Sequence, residues 1–92
     1  MIKPTIGRVV LFHRQKGDEP YAALVSYAHS DTCINVGGFD HSGIPFQETG
    51  VTLLQDDDPA PETGCYAEWM PYQKVQAAKA EALEAQLGAG KG

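Results

Sequence analysis

Between Gly17 and Gln73 there is not one lysine or arginine. The same stretch holds ten acids: Asp18, Glu19, Asp31, Asp40, Glu48, Asp56, Asp57, Asp58, Glu62 and Glu68. The cations sit at the two ends, Lys3, Arg8, Arg14 and Lys16 first and Lys74, Lys79 and Lys91 last, and the net charge is −5. Such a chain lacks the cationic density that neutralises a phosphate backbone, which argues against bulk nucleic-acid binding. If the two ends meet in the fold, the few cations converge, and that suits a small anion better than a polymer.

Other absences narrow the field. There are only two cysteines, Cys33 and Cys65, with no CxxC and no HExxH spacing. They read as small buried apolar residues, and a metal site is not expected. No apolar run approaches ~18 residues, so no membrane helix is expected. Met1 to Thr5 lacks the long apolar region of a signal peptide, which points to the cytosol. His29, Ser30 and Asp31 are chain neighbours, and neighbours on a strand or tight turn cannot all face one another as a triad. Gly37, Gly38 and Gly43 lead into no Lys-Ser or Lys-Thr, so no phosphate loop is present. Asp56, Asp57 and Asp58 lack the spacing and distal Glu of a calcium loop and read as a solvated turn. His13, His29 and His41 fall at strand ends or turns with no local motif. The expectation is a non-enzyme without cofactor, metal or catalytic residue.

At 92 residues there is room for one small domain. Its first two-thirds reads as β. Ile6–His13 is β-branched and aromatic, with Val9 and Leu11 on one face and Val10 and Phe12 on the other. A strand apolar on both faces is expected to be covered on both, by the sheet's curl and by a helix or partner. Tyr21–His29 is a second strand with Tyr21, Val25, Tyr27 and His29 on one side. Thr32–Val36 is a third, ending in a Gly37-Gly38 bend. Ile44–Gln55 holds a fourth, which Gly50 splits, and Cys65–Trp69 a short fifth. Pro71 fits a first helical turn, and the alanine-rich run to Leu87 is a strong helix former, with Gly88 as its cap. The fold class is mainly β (α+β): a small curved antiparallel sheet or SH3/OB-like barrel of about five strands with one C-terminal helix. Residues 1–70 form the barrel. Residues 71–87 form a helix packed on it or on a partner subunit, through Tyr72, Val75, Ala78, Leu83 and Leu87. Residues 88–92 form a flexible tail.

Tyr66 to Lys74 (YAEWMPYQK) is the most informative stretch. It sets four large side chains and two opposite charges at a strand-to-helix junction. Trp69 and Tyr72 can stack on a flat ring while Lys74 and Arg8 meet its phosphate. The same residues equally suit a hinge that docks the helix, or a subunit interface. Tyr27 and His29 complete the candidate ligand-binding set.

The opening Ile2-Lys3-Pro4-Thr5-Ile6-Gly7-Arg8-Val9-Val10, the segment Tyr27-Ala28-His29-Ser30-Asp31 with Asn35, the turn from Phe39-Asp40 to Gly43, and Tyr66–Gln73 with Gln76–Lys79 carry a resemblance. The chain resembles a family of short, mostly uncharacterised proteins of tailed phages and prophages. Leu11 and Val75 stand where that pattern leads one to expect Trp and Gly. The resemblance implies a genomic setting and a place in the host cytoplasm, and no catalytic residues. Short phage proteins include sponges that sequester nucleotide signals of host defence, and these work as oligomers with pockets between subunits. The expected function is therefore a non-enzymatic phage accessory protein that sequesters a small nucleotide-like signal as a homo-oligomer. The alternative is a phage structural, assembly or host-protein-interaction module.

Overall fold

The computed structural model describes residues 1–91, with side chains through residue 83. Five strands, β1 (Val9–His13), β2 (Tyr21–Ser30), β3 (Cys33–Phe39), β4 (Pro45–Leu54) and β5 (Tyr66–Glu68), close into a barrel, and a helix, α1 (Pro71–Lys91), follows. The strands stand in chain order around the barrel, a meander rather than the Greek key of the OB type. The sheet is mixed rather than wholly antiparallel. The long Gln55–Cys65 connection carries the chain back across the barrel, so β5 lies parallel to β4 while pairing antiparallel with β1.

Period-two alternation builds the core. Val10 and Phe12, Ala23 and Val25, Ile34 and Val36, Val51 and Leu53, and Ala67 point inward, and Trp69 closes the cluster. Two local devices bend the sheet enough to close. Gly50, at φ 64°, forms a bulge in β4, where the β3 register jumps between Ile34 and Val36. Its amide donates to Asn35 Oδ1 at 3.0 Å. Gly38 lies so close to β2 that an added Cβ would collide with the Ala22 carbonyl and stand 2.8 Å from the Ala23 Cα.

Turn chemistry fixes the hairpins. Asp40 Oδ1 accepts from the amides of Ser42 and Ile44, both at 2.9 Å. At the other end of the sheet the Thr32 amide donates to Ser30 Oγ at 3.3 Å. The first strand starts later than expected, because Gly7 takes a left-handed φ of 94° and turns the preceding chain aside.

The helix begins where Pro71 predicts it. Gln73 reaches back, its Oε1 accepting from the Met70 amide at 2.8 Å, half of a capping box. Its Nε2 donates to the Val9 carbonyl at 3.1 Å and ties the first turn to β1. The helix runs on to Lys91, past Leu87 and the Gly88 expected to cap it. Gly92, the end of the expected tail, lies outside the described residues. Of the two surfaces expected to take the helix, its own barrel or a partner subunit, the barrel covers little of residues 71–83. Tyr72, Val75 and Leu83 are all exposed, and only Gln73 and Ala77 among residues 71–83 are half-buried. The apolar stripe is thin, and beyond the first turn the helix is held only along one edge, where Ala77 and Glu81 face the N-terminal segment and Glu81 lies 3.7 Å from the Met1 ammonium.

Gly38→Ala is expected to destabilise the barrel by about 1–3 kcal/mol, since the new methyl meets main chain that cannot swing away. A urea melt followed by tryptophan fluorescence measures it.

Candidate functional site

The strand-to-helix junction is organised by an amide. Gln55 follows β4 and is buried among apolar side chains. Its Nε2 donates to the carbonyls of Ile2 at 2.7 Å and Asp31 at 2.9 Å. Its Oε1 accepts from the Ile2 amide at 3.1 Å and from Trp69 Nε1 at 3.3 Å. The indole is therefore a core element. Trp69 is 1% exposed, so it offers no face on which a ligand ring could stack. This corrects the stacking role expected for Trp69 and leaves it as the hinge.

The other residues of the expected pocket do not converge. Arg8 and Tyr72 line a cleft of about 380 Å³ on one side of α1, which Gln73 and Glu81 share. Lys74 and an edge of Trp69 line a separate cavity of about 320 Å³ with Met1, Asp56, Asp57 and Glu81. Three acids outnumber its two cations, Lys74 and the Met1 ammonium that pairs with Asp56 and Glu81, which disfavours phosphate. The Arg8 guanidinium lies 5.9 Å from the Trp69 ring, and its Nε donates to Thr5 Oγ1 at 3.3 Å. Tyr27 and His29 stand on β2, edge to face at 5.0 Å. His29 Nε2 donates to Asn35 Oδ1 at 3.1 Å, the same oxygen that receives the Gly50 amide. That bond gives His29 a structural task at the bulge.

The acidic run is also structural in part. Asp58 Oδ2 accepts from the Gln55 amide at 3.0 Å, and Asp56 lies 2.9 Å from the Met1 ammonium. The hydrogen bond to Asp56 holds that amine above its ordinary pKa. Among the described residues no group of three or more His, Cys, Asp or Glu side chains is placed to hold a metal ion.

His13 ends β1, one of the strand-end positions expected for the histidines, but it is buried rather than on the surface. Its Nε2 is 2.7 Å from Glu68 Oε2, a close approach without hydrogen-bond alignment, and its Nδ1 is 3.3 Å from the Asp18 carbonyl. The ring stacks on Tyr66 at 4.5 Å. Burial, and secondarily the charge of Glu68, push the Tyr66 phenol above its ordinary value, against the opposing pull of Lys16.

Two features were not singled out from the sequence. The first is an apolar outer face. Val9 (38% exposed), Leu24 (49%) and Phe39 (56%) stand beside Ala22, Gly37 and Pro45 around a hollow of about 420 Å³. The β pairings explain it: Val9 lies opposite Leu24, Leu24 opposite Gly37, and Phe39 opposite both Ala22 and Pro45. The apolar outer side of β1 was the available signal. Among the described residues neither α1 nor any loop covers it. The second is an aromatic mouth at the end of the barrel away from Gln55. There Tyr21 meets His41 at 4.5 Å and Phe46 at 5.7 Å, and Phe46 meets Phe12 at 5.1 Å.

Comparison of the chain with protein-family models, with curated proteins and with solved structures finds no match. What stands is a class: a small closed β-barrel with an appended helix, described by its own geometry.

Two mutants separate hinge from pocket. Trp69→Ala is expected to cost about 3–5 kcal/mol. Tyr72→Ala is expected to stay within about 0.5 kcal/mol. Chemical melts of both proteins check this. In an ultraviolet alkaline titration Tyr66 should ionise above the ordinary phenol value of 10.0. A phenol raised in the folded state keeps its stabilising effect below its ordinary value of 10.0 and loses it as pH climbs through the raised one. Tyr66→Phe should therefore flatten the fall in stability on the alkaline side.

Proposed function

We propose that this chain is a non-enzymatic binding module, of the phage accessory kind its sequence resembles, that acts by protein contact and self-association through the outer face of its barrel. The observation that carries this reading is the uncovered cluster of Val9, Leu24 and Phe39 on three adjoining strands. Soluble monomers seldom leave large contiguous apolar patches open, and such patches mark interaction surfaces. The uncovered helix supports it too: an isolated helix with exposed Tyr72, Val75 and Leu83 gains little from its own barrel and more from a neighbour. The acid-only middle of the sequence keeps such a surface soluble until a partner covers it.

Sequestration of a nucleotide-like signal at the helix junction has less support. It needs Arg8, Trp69, Tyr72 and Lys74 in one pocket, but Arg8 and Tyr72 line one cleft while Lys74 lines another with Trp69, whose indole is buried.

Sedimentation velocity on the wild type and on Leu24→Glu tests the proposal. The wild type is expected to form a discrete assembly at micromolar concentration. The variant should be monomeric with an unchanged far-ultraviolet spectrum, since Leu24 is half-exposed and outside the core. A wild type that stays monomeric, or a variant that assembles equally well, would overturn it.

A further inference from the structure

Arg14 follows β1 at the barrel mouth. Its guanidinium carbon lies 5.3 Å from the Tyr21 ring centroid and 5.6 Å from that of Phe46. Two aromatic rings thus steady one cation, an arrangement that holds arginine through stacking and quadrupole attraction. The chain has an excess of acids, and two stand close in sequence, Asp18 and Glu19. Even so, none of the ion pairs or side-chain hydrogen bonds among the described residues involves Arg14. Asp18 Oδ1 takes Gln15 Nε2 instead, and the neighbouring cation Lys16 is taken by Glu62 at 2.9 Å. The planar donor fork of Arg14 is therefore positioned but unspent.

His41 flanks the same platform. Its Nε2 donates to the Pro20 carbonyl at 3.0 Å, which fixes the ring against the edge of Tyr21 and leaves Nδ1 unengaged. The Asp40 turn that carries His41 is itself held by two amide bonds to Asp40 Oδ1, so one oxygen of that carboxylate is occupied.

We propose that the barrel mouth is a binding site for a small oxyanion, a carboxylate or a phosphate group, held by the fork of Arg14 on the Tyr21–Phe46 platform beside His41. A guanidinium favours this chemistry because two parallel N–H donors match two oxygens of the anion. The site goes beyond the assembly proposed above. It lies at the mouth rather than on the outer wall, and it is read by binding rather than by sedimentation.

The test follows arginine Nε–H resonances by NMR in the full chain at constant ionic strength. Inorganic phosphate, acetate and adenosine monophosphate are added in separate titrations. The Arg14 resonance is expected to shift saturably with at least one probe, while that of Arg8 serves as the control and does not. Saturation by phosphate alone assigns a phosphoryl ligand, and saturation by acetate alone assigns a carboxylate. Tighter binding of the nucleotide than of phosphate adds a stacked ring. Arg14→Lys keeps the charge and loses the fork, and should weaken binding about tenfold. Its thermal melt shows whether the fold is retained, and Tyr27→Ala, remote from the mouth, should bind as the wild type does. Linear, unsaturated shifts equal to those of Arg8 with all three probes would overturn the proposal, as would unaltered binding by Arg14→Lys.

Discussion

One buried amide governs how this molecule is put together. Gln55 is a polar side chain at the closed end of an apolar barrel, and it persists there because every polar atom it brings in is matched. It joins the N-terminal segment at Ile2, the β2–β3 turn at Asp31 and the indole of Trp69. A leucine of similar size would leave the indole N–H and the Ile2 backbone without partners, and an unmatched buried group costs more than a made bond contributes. Trp69 sits at the point where strand becomes helix, so fixing its indole also fixes where α1 departs.

The two ends of the barrel consequently differ. At the Gln55 end, side chains and the N-terminal segment plug the core, and the clefts that remain are shared by acids of the Asp56–Asp57 run and Glu81. At the other end, rings of Phe12, Tyr21 and Phe46 lie together with Arg14 over them. Between the ends, the wall of β1, β2 and β3 carries apolar side chains outward as well as inward. Each region has one dominant physical character: matched polar burial, cation over aromatic rings, and uncovered apolar surface.

Much of the fold was legible in residue order. The β-branched and aromatic run Val9–Phe12 and the aromatic face of Tyr21–His29 announce strands, Asp40 and Gly43 announce a turn, and Pro71 announces the helix start, because each depends on local backbone preference. The candidate site was less legible. Trp69, Tyr72, Arg8 and Lys74 are close in chain or in chemistry, yet one turn of helix is enough to send Tyr72 and Lys74 into different clefts, and Gln55, remote in sequence, takes the indole. Arg14 and Phe46 carry no shared local pattern; barrel closure alone brings them together.

The sequence by itself determined the number of strands, the places where the chain turns, the helix-forming segment and the uneven distribution of charge. These follow from side-chain period, turn chemistry and composition, all read within a few residues. Only the tertiary structure decided that β5 lies parallel to β4, that Trp69 is core, that His13 is buried beside Glu68, and that the outer wall stays open. Those depend on contacts between residues far apart in the chain. Their energies come from burial and from matching polar groups, and neither exists until the barrel has closed.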